Sequence, residues 1–237
     1  MPLHGILFDK DGTLIHFDAT WGPATAAAMR KMTGGNAALL RRLADANHFD
    51  LAALSFAPTS PFIAGSSATY VEVWAQALGR SDPEALKCEM DGLLHDAALN
   101  HLTPVGDVAL VLTQLKTQGV RLGLATNDSE RGARSQLQAL GLTSHFEFVA
   151  GYDSGHGSKP LPGMVWAFAE FTGLAPGAVA LVGDSVHDMH AARAAGALAI
   201  AVLTGPASRA DLAPHADHVL DDISALPALA LRLRDEA

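Results

Sequence analysis

The stretch GILFDKDGTLIHF, residues 5–17, decides how the rest of the chain is read. Ile6-Leu7-Phe8 is apolar without alternation, the signature of a strand buried on both faces in a parallel sheet. It runs straight into Asp9-Lys10-Asp11, with Gly12 and Thr13 following. In a parallel α/β sheet, ligands bind beyond the carboxyl ends of the strands. Charge of this density at a strand end therefore marks a candidate site.

Working outward, similar apolar runs recur at 120–125, 146–150, 179–182 and 197–202, and helical stretches lie at 105–117, 129–140, 163–172 and 188–195. Strands alternating with helices predict right-handed βαβ units and a doubly wound, Rossmann-like α/β core. Residues 16–101 break the rhythm. No strand is evident there, and Ala-, Leu- and Met-rich stretches predict helices near 19–31, 37–46, 68–78 and 83–100. Pro58, Pro61, Gly65, Ser66 and Ser67 mark a loop between them. The expectation is a core of residues 1–15 and 102–237, with 16–101 forming a small all-helical cap domain over the sheet.

Composition narrows the function classes. The chain has 237 residues, 49% hydrophobic and 17% charged, which argues for a folded core. Its formal charge is −9 with no Lys/Arg cluster, so a nucleic-acid partner is not expected. A single cysteine, Cys88, permits no intrachain disulfide and no Cys-based zinc site, and it is expected to be inert core on its helix. The first apolar run is too short for a signal peptide, and tracts such as 194–203 fall short of the roughly 18 residues of a membrane span. A cytoplasmic protein without membrane partners is expected. Monomer and homodimer both remain open.

The polar residues ending the predicted strands define the chemistry. After the first come Asp9 and Asp11; after the second, Thr126-Asn127-Asp128; after the fourth, Gly183-Asp184-Ser185 with Asp188 one turn on. Lys159-Pro160 lies in the loop after the third. Several carboxylates share a site only if a cation neutralises them. Hard oxygen ligands without cysteine favour Mg²⁺. Thr126 offers a hydroxyl, Asn127 amides at a helix start, and Lys159 a point charge, all suited to phosphate. One carboxylate can then act as nucleophile through an aspartyl-phosphate, and another as general acid and base, which is phosphoryl transfer.

DKDGTL (9–14), ATND (125–128), SKP (158–160) and GDSVHD (183–188) resemble, in order and spacing, the four motifs of the haloacid dehalogenase-like hydrolase superfamily. Within it the chain is most similar to phosphoglycolate phosphatase-like members, and the insert resembles that family's helical cap. The resemblance implies that Asp9 is the nucleophile and a Mg²⁺ ligand. It implies that Asp11 is the general acid/base, with its backbone carbonyl on the metal. Thr126 and Asn127 would bind phosphate, Lys159 would stabilise nucleophile and phosphate, Asp184 would ligate the metal, and Asp188 would be a supporting carboxylate. The substrate implied is a small phosphomonoester, phosphoglycolate first. Trp21 and Ser66 are candidates for substrate contact from the cap.

Other readings use the same residues. A phosphomutase of the β-phosphoglucomutase type would share the core. A haloacid dehalogenase lacks the second aspartate, so Asp11 argues against it. A receiver-like phosphorylation module would lack the cap. Gly183-Asp184-Ser185-Val186-His187 nearly matches a serine-esterase elbow, with Asp211 and His215 in triad order, but His187 replaces the second glycine. Asn127-x-x-Glu130 fits a capping box, and Asp188 fits an N-cap. His187 and His190 are expected in solvent-facing or packing roles. Lys10 departs from the apolar residue that the family often has there. Strand alternation points its side chain away from Asp9 and Asp11, and its stem is expected to snorkel with its head in water.

Overall fold

The computed structural model describes residues 2–63 and 65–235. The chain divides into two compact units, residues 1–16 with 104–237, and residues 17–103.

β1 (Gly5–Phe8) opens the first unit, and the chain then enters the second. There α1 (Phe17–Met32) and α2 (Ala37–Ala46) precede β2 (Phe49–Asp50) and β3 (Ser55–Phe56), with α3 (Ser67–Leu78) and α4 (Pro83–Ala98) following. The Asn36 side chain accepts from Ala38 and Leu39 N–H to start α2, and left-handed Gly79 ends α3. The unit has its own apolar core, with Met29, Leu43, Trp74, Leu86 and Met90 fully buried. Trp74 Nε1 donates to Asn47 Oδ1 at 2.9 Å.

Two expectations for this unit need correction. It is not all-helical, because β2 and β3 pair antiparallel. Two-residue strands carry no readable alternation; the turn between them depends on Asp50 Oδ1 accepting from Ala52 and Ala53 N–H. Trp21 packs in the unit's core, and Ser66 is buried at the start of α3, its N–H donating to Thr69 Oγ1. Cys88 is exposed on α4 rather than buried.

The first unit continues with α5 (Val108–Thr117), β4 (Arg121–Ala125), α6 (Glu130–Ala139), β5 (Phe148–Ala150), α7 (Gly163–Thr172), β6 (Val179–Gly183), α8 (Val186–Ala195), β7 (Leu198–Val202), α9 (Arg209–Leu212), β8 (His218–Leu220) and α10 (Leu226–Asp235). The six strands form one parallel sheet in the order β5-β4-β1-β6-β7-β8. The doubly wound α/β expectation holds. β8, three partly exposed residues at the sheet edge begun by His218, is an addition whose partial burial leaves no continuous apolar run.

The sheet packs helices on both faces. Ile6 and Phe8 face Leu112 and Leu115 of α5, along with Ala133 and Leu137 of α6. Leu7 faces Phe168 of α7 and Met189 of α8. Because side chains alternate along a strand, the next residue, Asp9, emerges toward α7 and α8. Lys10 emerges toward α6.

Candidate active site

β1 lies between β4 and β6, so the loops after these three strands converge at one edge. The Asp9 N–H donates to Val182 O at 2.8 Å, which carries the sheet's pairing one residue beyond the strand and fixes the Asp9 backbone. Lys159 Nζ then lies 2.5 Å from Asp9 Oδ1 and 2.6 Å from Asp188 Oδ1. Asp184 joins them: oxygens of Asp9, Asp184 and Asp188 all lie within 4.8 Å of one another, and all three residues are buried. Asp184 makes no ion pair among the described residues.

One lysine against three buried carboxylates leaves excess negative charge. Burial pushes the Asp9 carboxyl up to about 7; Asp188 and Asp11 add to the rise and Lys159 opposes it. Burial also raises Asp184 well above the usual carboxylate range, with Asp9 and Asp188 contributing. For Lys159 burial acts downward, but Asp188 and Asp9 outweigh it and the net shift is upward, so it stays a cation. A hard divalent cation fits this set. The donors are all carboxylate oxygens, they are already gathered, and their repulsion is not fully met by protein charge.

Two glycines make room for Asp184. A Cβ on Gly12, whose φ of +83° itself favours glycine, would overlap the Asp184 carboxylate, and so would one on Gly205. Thr204 Oγ1 donates to Gly12 O at 2.5 Å, tying the loop after β7 to the turn after β1. Thr204 and Gly205 are functional-site neighbours that charge and motif spacing do not mark. Their signal was a Thr-Gly-Pro at a strand end on the same edge.

Asp188 is the third helical residue of α8 in a capping box. Its Oδ2 accepts from Ser185 N–H (3.1 Å) and Ser185 Oγ–H (2.5 Å), while Ser185 Oγ accepts from Asp188 N–H. Ser185, not Asp188, is therefore the N-cap. The serine-esterase triad is not assembled, because Ser185 Oγ serves Asp188, Asp211 pairs with Ser208, and His215 Nδ1 faces His190.

Thr126 is fully buried, and its Oγ1 accepts from Asp128 N–H at 3.0 Å, which leaves its own hydroxyl proton available to a ligand. The Asn127 carboxamide bonds the Lys159 backbone both ways, Nδ2–H to the carbonyl at 3.0 Å and Oδ1 from the N–H at 2.9 Å. It thereby fixes the loop that delivers Lys159. Asn127 does not cap α6; Ser129 does, accepting from Gly132 N–H.

Asp11 stands apart from the carboxylate cluster. Its oxygens lie 2.9 and 3.1 Å from Lys10 Nζ. Lys10 is 1% exposed. Its head also reaches Asp128 Oδ2 at 3.0 Å and Gln136 Oε1 at 2.5 Å. The expectation of a snorkelling lysine with its head in water is overturned. Alternation does carry Lys10 away from Asp9, but Asp11 is past the strand, in the turn closed by Leu14 N–H to Lys10 O, and that turn folds its carboxylate back onto Lys10. Burial acts downward on the Lys10 pKa, yet Asp11 and Asp128 outweigh it and the net shift is upward.

A family model for haloacid dehalogenase-like hydrolases matches residues 3–196. The phosphoglycolate phosphatase of Rhodospirillum rubrum is 30% identical over 230 residues, 93% of this chain and 88% of that protein. The phosphoglycolate phosphatase of Escherichia coli K12 is 37% identical over 98 residues, which span 39% of that relative's length and 41% of this chain. In fold, the chain is similar to a crystal structure described as a predicted phosphoglycolate phosphatase from Haemophilus somnus 129pt. The TM-score is 0.71 at 22% identity, covering 96% of this chain and 97% of the other.

Proposed function

The chain belongs to the haloacid dehalogenase-like hydrolases, and from that premise we propose that it is a Mg²⁺-dependent phosphatase of small phosphomonoesters, phosphoglycolate first among them. One observation carries the reading. A buried lysine is clamped between Asp9 and Asp188, with Asp184 alongside, at the carboxyl edge of the central strands. The substrate preference is supported by the name of the relative matched over 93% of the chain.

Asp9 attacks phosphorus, the bond from phosphorus to the leaving oxygen breaks, and an aspartyl-phosphate forms. Asp11 gives that oxygen its proton, then takes one from the water that releases inorganic phosphate and restores the Asp9 carboxylate. Lys159 holds the Asp9 carboxylate in its attack direction and opposes the charge gathering on the phosphoryl oxygens. Thr126 donates its hydroxyl proton to one of those oxygens. Asn127 acts on the reaction through the Lys159 backbone. Mg²⁺ would be held by Asp9, Asp184 and the Asp11 backbone carbonyl, and it supplies the positive charge that lets carboxylates and phosphate share one site. The helical unit, residues 17–103, would act as a cap that excludes water from a small substrate.

The test is phosphate release from an aryl phosphate and from a panel of small esters including phosphoglycolate. Asp9→Asn and EDTA should each lower turnover by roughly a thousandfold or more, the scale of losing a nucleophile. Activity retained in either case rules the mechanism out. Another ester well ahead of phosphoglycolate in kcat/KM overturns the substrate assignment alone.

A further inference from the structure

Lys10 is a buried cation that the mechanism above does not use. Its head joins three segments. Asp11 belongs to the turn after β1, Asp128 to the loop after β4, and Gln136 to α6. An ammonium has three N–H donors, and these acceptors surround it. Asp128 is in turn held within the loop that presents Thr126. Its N–H donates to Thr126 Oγ1, its Oδ1 accepts from Ser129 N–H at 2.7 Å, and its carbonyl accepts from Tyr152 N–H at 3.0 Å. Gln136 is buried with its Nε2 unpartnered. A buried orphan donor costs stability, so the gain from this side chain lies in the Oε1 that accepts from Lys10.

Purely as core, this arrangement is an expensive one. Apolar residues of similar volume often replace a buried charged cluster at no loss. What the cluster does, and apolar packing would not, is hold the Asp11 carboxylate by two oxygens against a fixed point. That point is attached to the loop carrying Thr126.

We propose that Lys10 is a positioning residue: it fixes the Asp11 carboxylate by tying it, through Asp128 and Gln136, to the loop after β4, so that the proton donor keeps one direction relative to the leaving oxygen of the ester. The proposal rests on Asp11 being the general acid of the proposed phosphatase. It concerns direction only: Lys10 acts on the proton transfer through the Asp11 carboxylate, whose two oxygens it holds.

The experiment separates proton donation from attack. Alcohol release in the first turnover is measured with two esters, an alkyl phosphate whose leaving oxygen needs a proton and p-nitrophenyl phosphate whose leaving oxygen does not. Lys10→Met should slow the alkyl ester by about 10- to 100-fold, a part of what a general acid contributes, and the aryl ester by less than about 3-fold, with substrate affinity for both nearly unchanged. Equal slowing of both esters, or of neither, overturns the proposal. Asp128→Asn is nearly isosteric and takes the loop's charge from Lys10. It should show the same selectivity in a smaller degree, and it supplies the test if circular dichroism shows Lys10→Met unfolded. Wild-type release that survives Asp9→Asn, or wild-type protein releasing nothing, would defeat the phosphatase reading and this proposal with it. Asp9-dependent release with an unselective Lys10→Met defeats this proposal alone.

Discussion

At the scale of the residue, the site is a problem of charge. Three carboxylates are buried beside one lysine, and burial first, with Asp188 and Asp11 adding to it, raises the Asp9 carboxyl from 3.8 to about 7 against the pull of Lys159. The sign of the consequence is definite. A group raised by folding contributes stability that is fully present below its unfolded pKa and is lost as pH climbs through the folded one. The metal-free protein should therefore lose stability between about pH 4 and about pH 7, read from urea midpoints across that window. Midpoints that rise across it would contradict the charge balance described. Asp184 gives a second test, because its carboxylate lies where a Cβ on Gly12 or Gly205 would stand. Gly205→Ala should weaken Mg²⁺ binding by roughly 10- to 100-fold, the scale of a disturbed metal surround, as read from Mg²⁺-dependent thermal shifts. Unchanged Mg²⁺ dependence would show that the crowding does not matter.

At the scale of the element, helix starts position the chemistry. α8 begins with the Ser185–Asp188 box, in which Asp188 Oδ2 accepts from the Ser185 N–H and hydroxyl while its Oδ1 stays on Lys159. Ser185→Ala should cost about 1 kcal/mol of stability, as lost caps do, and lower kcat by loosening Asp188, with hydrolysis persisting. Abolished turnover in a folded protein would instead favour the serine as nucleophile. The α6 start shows the limit of pattern reading. Asn127-x-x-Glu130 has capping-box spacing, but Ser129 takes the cap, and Asn127 is drawn 32 residues along the chain to the Lys159 backbone. No local pattern encodes that choice. It follows from β5 bringing the loop after it alongside the loop after β4.

At the scale of the whole molecule, two units hold separate apolar cores. Trp74→Ala should cost about 3–5 kcal/mol, as large aromatic deletions do, and Asn47 Oδ1 would lose its donor as well. Hydrogen exchange should show the loss of protection concentrated in residues 17–103, with the strands of the sheet retaining theirs; uniform loss would mean the two units unfold as one. Among the described residues, no helix is long and apolar enough to cross a membrane.

The division between sequence and tertiary structure follows the range of the forces involved. Apolar runs announced five of the six parallel strands, because burial on both faces favours apolar residues at nearly every position. The same pattern located the polar residues at the strand ends, since a strand's last residue is a local fact. β2 and β3 escaped because two residues carry no period, and β8 because its three residues, begun by His218, are only partly buried. What only the tertiary structure decided was partnership among those polar groups: Lys159 between Asp9 and Asp188, Asp184 against Gly12 and Gly205, Asn127 on the Lys159 backbone. Lys10 marks the boundary most clearly. Alternation along β1 sent it to the α6 side of the sheet, but whether it met water or Asp128 and Gln136 depended on contacts 118 and 126 residues away in the chain. A buried charge is stable only with partners, and the loop after β4 and α6, near in space but distant in sequence, supplied them.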